Sequence, residues 1–298
     1  MSVLSCVYVV FIWCVAVSYS LSVRDFISNL KLTPLKLDET KGMDFEFVED
    51  DVVFKGHYPF FPVFPASLMV EFSYGIIDLI QECHAYKFLN KSAFYKGFSP
   101  GDLVSINIYK NGKGQLIFEY NLQGELATKL VFEKHHQNLK KLDSVVIESD
   151  NISYQDSYCH LPQRFPLLVV DKVYANKEHG SAIKNISYGD LYYQNAYGDL
   201  TQQEMAFSRG ALIEGLEQSA VLLLAEHWDV VDTRRPIVVC AIDKCQFFSQ
   251  VYPGDVVKYF SSISYISDDT AFISGYAVAN GERIMDVGKL IVIRKEAI

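Results

Sequence analysis

The chain has 298 residues, 50% of them hydrophobic and 14% aromatic with 20 Phe and 19 Tyr, which suits a packed, β-rich globule and excludes a disordered chain. Its formal net charge of −9 excludes the basic field of a nucleic-acid binder. The length allows one large domain or two of ordinary size.

From Met1 to Val23 there is no charged residue, and Val7 to Val17 is an unbroken apolar run. A secretory signal calls for a basic n-region, yet the first basic residue is Arg24. A membrane anchor needs about 20 mainly apolar residues. Arg24, Lys31 and Lys36 on the C-terminal side would keep the rest of the chain cytoplasmic. Three readings of residues 1–23 stay open: a membrane tether, an extension of no defined role, and a signal peptide. The six cysteines form no CxxC pair and no metal-ligand spacing. That pattern suits reduced, mostly buried thiols in a cytoplasmic protein, and no metal or cofactor is expected.

Alternation at Phe45–Val48 and again at Val52–Phe54 reads as a strand pair feeding a loop that begins at His57. Pro59, Pro62 and Pro65 are expected to hold that loop extended and outside any ladder. Leu68, Met69, Phe72, Ile76, Leu79 and Ile80 recur at helical spacing, so a largely buried helix is expected from about Ala66 to Tyr86. Glu71 lies near its start, where an ionisable group is costly unless paired or kept neutral. Further on, strands are expected at Leu103–Lys110 and Gln115–Leu122, joined by the hairpin signal Asn111-Gly112, and at Glu125–Phe132. The polar stretch Glu133–Lys141 reads as a linker. It contains His135-His136 without an acidic or cysteine partner nearby, so no metal site is read there.

Residues 56–71 carry a family resemblance. The 3-hydroxyacyl-[acyl-carrier-protein] dehydratases of the hot-dog fold read roughly G-H-F-P-G-x-P-x-x-P-G-x-L-x-x-E, and this chain matches the Gly, the His, three Pro, the Leu and the Glu in register. Phe60 and Ala66 replace two family glycines. Leu161-Pro162-Gln163-Arg164-Phe165-Pro166 and the residues to Val173 resemble the L-P-H-R-Y-P-x-L-L-V-D-R-V opening of the same enzymes.

The second half repeats the order of the first. A strand is expected at Ser181–Ile186, a helix at Met205–Trp228, and strands at Val256–Tyr265, Ala271–Ala279 and Glu282–Ile293. Pro100-Gly101-Asp102 and Pro253-Gly254-Asp255 each follow a long apolar helix and precede three strands, with Phe94 and Phe247 each six residues before the proline. The architecture implied is an α+β double hot dog: two curved antiparallel sheets, each wrapped round a central helix. Residues 1–23 would form the N-terminal segment, 24–140 the first hot dog and 141–298 the second. The pair would be an internal pseudo-dimer, open to higher oligomers.

Aligned with the family's L-I-I-E-A-L-A-Q-A-A, the segment Ala211–Ala220 puts Glu214 at the catalytic carboxylate position and Gln218 one helical turn on, placed to orient it. Fourteen residues before Glu214 stands Leu200, where the first half has His57 before Glu71. The resemblance therefore implies one live site shared between halves, with His57 as base and Glu214 as acid, and a mirror site in which Glu71 is mainly structural. Backbone N–H groups at Ala66 and Ser67 are candidate donors to an enolate oxygen, although Ala66 for glycine puts that geometry in doubt. Phe60 for glycine is expected to reshape the pocket mouth. The implied reaction is loss of water from a 3-hydroxyacyl thioester carried by acyl carrier protein or CoA, as in fatty-acid or polyketide synthesis. Arg164, Arg234 and Arg235 are candidate contacts for an acidic carrier or a phosphopantetheine phosphate. A thioesterase, an isomerase and a non-catalytic acyl-binding hot dog remain as alternatives.

Overall fold

Period-2 burial shapes most of this molecule, and two apolar helices fill the concave side of the sheet it makes. The computed structural model describes residues 41–58, 60–80, 83–134, 151–152, 161–175, 179–193, 202–225, 227–230, 232 and 234–295. The N-terminal apolar run, Pro59, residues 135–141 of the expected linker and Leu200 lie outside them. Among the described residues no helix is long and apolar enough to cross a membrane, and Cys240 and Cys245 are free thiols.

The first half contains β1 (Lys41–Glu46), the short α1 (Val52–Gly56), α2 (Ala66–Leu79), β2 (Phe88–Phe94), β3 (Leu103–Lys110), β4 (Leu116–Leu122) and β5 (Glu125–Glu133). The second contains β6 (Asn151–Ile152), β7 (Lys172–Ala175), β8 (His179–Asn185), α3 (Arg209–Ala225), β9 (Ile237–Phe247), β10 (Val256–Ile266), β11 (Thr270–Ala279) and β12 (Glu282–Arg294). Every strand pairing is antiparallel.

The two half-sheets join edge to edge into one 12-stranded sheet, ordered β1-β3-β4-β5-β2-β9-β12-β11-β10-β8-β7-β6. The order read outward from the β2–β9 seam is the same on both sides, β2-β5-β4-β3-β1 and β9-β12-β11-β10-β8, so the repeat is carried by the topology. At the seam Phe88 and Leu89 pair with Gln246 and Cys245. Ser92 tightens it: its N–H donates to Asp243 Oδ1 at 2.9 Å, and its Oγ accepts from the Ile242 N–H at 2.6 Å.

Several sequence expectations are corrected. Val52–Phe54 is not a strand but lies in α1, because the Asp51 side chain accepts from the Val53 N–H and caps a helical turn. Helix α2 stops at Leu79, where the backbone turns extended at Ile80. Ile80, Cys83 and Tyr86 remain buried beyond it, so their helical spacing is a packing pattern without a helix. Helix α3 begins at Arg209, with Ser208 Oγ accepting from the Ala211 N–H, and ends at Ala225. The His57 loop is not extended: Tyr58 and Phe61 exchange backbone hydrogen bonds at 3.1 and 3.0 Å, and the Val63 N–H returns to the His57 carbonyl at 2.9 Å.

The helices α2 and α3 meet antiparallel at the centre of the molecule. Ser67 near the start of α2 touches Glu214 in mid-α3, while Asp78 near the end of α2 pairs with Arg209 at the start of α3, 2.8 Å apart. The close approach has a sequence basis, since a Cβ on Gly210 would lie 2.8 Å from Glu71 Oε2 and 2.9 Å from Leu68 Cδ2.

Candidate active site

The base of the His57 loop is fastened to the other half of the chain. The Arg164 N–H donates to the Gly56 carbonyl at 3.0 Å, and a Cβ on Gly56 would sit 2.6 Å from the Arg164 carbonyl oxygen. Glycine at 56 therefore lets the Leu161–Pro166 segment pass directly behind the histidine. Arg164 itself is turned inward, its guanidinium donating to the Leu161 and Gln163 carbonyls.

His57 Nδ1 lies 2.9 Å from the Val63 carbonyl oxygen. A carbonyl only accepts, so Nδ1 carries the hydrogen and Nε2 keeps its lone pair for a proton. Burial holds the imidazole below its ordinary 6.5, against the smaller opposing pull of the Glu214 charge. The ring stacks on Tyr58, centroids 4.2 Å apart, and the Tyr58 hydroxyl donates to the Ile237 carbonyl at 2.9 Å.

Glu214 is 1% exposed on α3 and receives three donors. Ser67 Oγ donates to Oε2 at 2.8 Å, and Gln218 Nε2 and Gln163 Nε2 donate to Oε1 at 3.0 and 3.2 Å. Gln218 is fixed in turn: its Oε1 accepts from the Val169 and Val170 N–H groups, and its Nε2 also donates to the Leu167 carbonyl at 2.6 Å. The four-residue spacing of Glu214 and Gln218 thus corresponds to a contact. Gln163 was missed as a ligand of Glu214, although its place in the Leu161–Pro166 segment was a usable signal.

A cavity of about 140 Å³ opens beside these groups. Its wall includes His57, Tyr58, Ala66, Gln163 and Glu217, together with apolar residues such as Val221, Leu224, Leu290 and Val292. Such a lining, mostly apolar with a few polar groups, fits an acyl chain with a reactive head. Ala66 opens α2 with Pro65 as its N-cap, so its N–H is among those without an intrahelical acceptor. The Ser67 hydroxyl is committed to Glu214. Phe60 is 45% exposed and stacks on Tyr58, while Phe61 is the one of the two phenylalanines that lines the cavity.

Glu217 was also missed. It lies three residues after Glu214, a spacing that puts both on one face of a helix. Burial first, then the Glu214 charge and a hydrogen bond with that carboxyl, push Glu217 well above the usual carboxylate range.

The mirror region holds Glu71 in a second cavity with Tyr74, Asp78, Ser208, Arg209 and Phe247. Burial pushes the Glu71 carboxyl up to about 7, partly offset by a hydrogen bond with Ser208 and the Arg209 charge. Its Oε2 has no hydrogen-bond partner. Among the described residues lining this cavity there is no histidine.

No family model matches the chain. Curated relatives cover close to half of it. The 3-hydroxyacyl-[acyl-carrier-protein] dehydratase FabZ of Pseudothermotoga lettingae is 29% identical over 136 residues, 45% of this chain and 91% of that protein. FabZ of Rhodopseudomonas palustris is 27% identical over 135 residues, 44% of this chain and 87% of the relative. Solved structures match nearly the whole length. The dehydratase domain from the CurF module of curacin polyketide synthase superposes with a TM-score of 0.66 at 13% identity, covering 88% of this chain and 97% of that one. The PpsC dehydratase domain from Mycobacterium tuberculosis, in complex with C12:1-CoA, superposes at 0.64 with 12% identity, covering 87% and 95%. This chain has the double hot-dog fold and is similar in sequence to the FabZ dehydratases over close to half its length. A relative made of one hot dog aligns to about half of it, and the double dehydratase domains align to both halves, as the repeated sheet order requires.

Proposed function

We propose that this protein removes water from a 3-hydroxyacyl thioester, carried by acyl carrier protein or CoA, to give the trans-2-enoyl thioester. The observation that supports this reading is a largely apolar cavity lined by His57 from one half and by Glu217 of helix α3 from the other, with Glu214 of the same helix near enough for its charge to act on the imidazole. Neutral His57 Nε2 takes the C2 proton. The released electron pair forms the C2=C3 bond, and the C3–O bond breaks as the hydroxyl receives a proton from the carboxyl acid. Negative charge on the thioester oxygen in the transition state is met by N–H groups at the start of α2, with Ala66 on the cavity wall. Gln218 and Gln163 hold the Glu214 carboxyl in place.

The reading is tested by assaying dehydration, or the reverse hydration, of a short acyl-ACP and acyl-CoA with wild type, His57→Ala, Glu214→Gln and Glu71→Gln. The first two variants are expected to lose nearly all activity, and Glu71→Gln to keep much of it. An active Glu214→Gln with a dead Glu71→Gln would mean that the site does not cross the halves. Mass analysis of the product separates elimination from thioester hydrolysis or double-bond migration.

A further inference from the structure

The second carboxyl of the site has no counterpart in the family segment, where alanine stands at the position of Glu217. Its side chain is 9% exposed, forms part of the cavity wall with His57, and has an Oε1 with no hydrogen-bond partner. Glu214 is not among the described residues on that wall; it sits one helical step away with both oxygens already accepting from Ser67, Gln163 and Gln218. The arrangement thus divides the work between two carboxyls, one saturated with donors and one reaching the cavity.

We propose that Glu214 and Glu217 act as a pair that holds one proton between them, and that this shared proton is the one delivered to the departing hydroxyl. This rests on the dehydratase reading for its chemistry. Two carboxylates in contact in a buried site do not both ionise, because like charges at that distance repel strongly. The pair therefore stays singly protonated where an isolated exposed carboxyl would be ionised, which is the state an acid needs at neutral pH. The groups that face Glu217 add little positive charge to oppose this. Tyr58 and Cys245 are pushed upward chiefly by burial, with the Glu217 charge the smallest contribution to each, His57 is kept below its ordinary value, and of the two lysines on the cavity wall Lys96 is paired with Glu125 and Lys295 lies with its ammonium over Phe61.

The step balances. His57 gains the C2 proton, the pair loses its proton to the hydroxyl, and water leaves. The proton on His57 then returns to the pair, directly or through that water, restoring both groups for the next turnover. Glu217 contacts the acid and the cavity, so it both positions Glu214 and stores the proton.

Two measurements test this, one of them independent of turnover. By infrared spectroscopy at about pH 8.5, above the titration of Glu71, wild type is expected to show a protonated-carboxyl band that vanishes in Glu217→Gln and changes frequency in Glu214→Gln. Absence of the band in wild type, its survival in Glu217→Gln, or an unmoved band in Glu214→Gln overturns the proposal. In turnover, Glu217→Gln is expected to lower kcat by about 10²-fold with little change in KM and to move the alkaline limb of the pH profile to lower pH. Glu217→Asp, which keeps a carboxyl, is expected to recover at least about tenfold of that loss. A Glu217→Gln enzyme within about threefold of wild type and with an unmoved limb overturns the shared-proton role. Wild-type protein that shows the band yet dehydrates no 3-hydroxyacyl thioester overturns the dehydratase reading instead.

Discussion

Ser67 and Gly210 occupy corresponding places, each four residues before the glutamate of its own helix and each against the glutamate of the other. Ser67 supplies a hydroxyl to Glu214, whereas Gly210 has nothing to give Glu71. The antiparallel contact of α2 and α3 is thus symmetric in position and asymmetric in chemistry. The same holds one turn along, where Gln218 follows Glu214 and Gly75 follows Glu71 at the same spacing.

Removing the Ser67 hydroxyl therefore weakens one site only. Ser67→Ala leaves Oε2 of a buried carboxyl without its donor, a loss of about 1.5–3 kcal/mol where the acceptor is charged. The expected outcome is a fall in kcat of about tenfold or more with a lower melting temperature. Unchanged turnover in the variant would mean that this bond does not hold the acid in its working position.

The fate of Glu71 is visible in stability rather than turnover. Its carboxyl titrates at about 7 in the folded chain, above the ordinary value of 4.5. A carboxyl raised by folding binds its proton more tightly in the native state, so its contribution is fully present below about pH 4.5 and is lost as pH rises through about 7. The shift corresponds to at most about 3 kcal/mol. Urea denaturation at about pH 5 and about pH 8 is expected to show a larger loss for wild type than for Glu71→Gln. Parallel losses would place the titration elsewhere.

How far the sequence revealed this depends on whether the signal was local. The Asn111-Gly112 turn and its flanking alternation predicted β3 and β4 to within a residue, because a hairpin is written in neighbouring positions. Pro65 marked the start of α2 for the same reason. Strands β2 and β9, the seam of the molecule, were not read as strands. In β2 a bulge between Leu89 and Lys91 breaks the period of two, and the partners of both strands lie far off in sequence. At the site, Glu214 and Gln218 were legible through a family pattern. Gln163 and Glu217 were not, since each departs from that pattern, and only the contact with Glu214 gives them meaning.

The histidine should set the acid side of the pH profile. Burial keeps His57 neutral to lower pH than an exposed imidazole, so kcat/KM is expected to rise through a midpoint below 6.5 and to be on its plateau at neutral pH. A midpoint above 6.5 would mean that the Glu214 charge outweighs burial.

A tight requirement on the site lies behind the histidine, at Gly56. Its missing side chain leaves room for the Arg164 carbonyl oxygen, and a Cβ would meet backbone at Arg164 O, 2.6 Å, and Leu167 N, 3.1 Å, and the rigid ring of Pro166 at 3.1 Å. Backbone cannot swing aside as a side chain can, so Gly56→Ala must separate the loop from the Leu161–Pro166 segment. That segment carries Gln163, whose amide reaches Glu214, and Leu167, whose carbonyl anchors Gln218. One methyl group should therefore disturb the base and the acid together. The expected result is a destabilisation of about 1–3 kcal/mol and a loss of turnover larger than that of Ser67→Ala. Retention of wild-type melting and turnover in Gly56→Ala would show that the two halves are not fastened at this point.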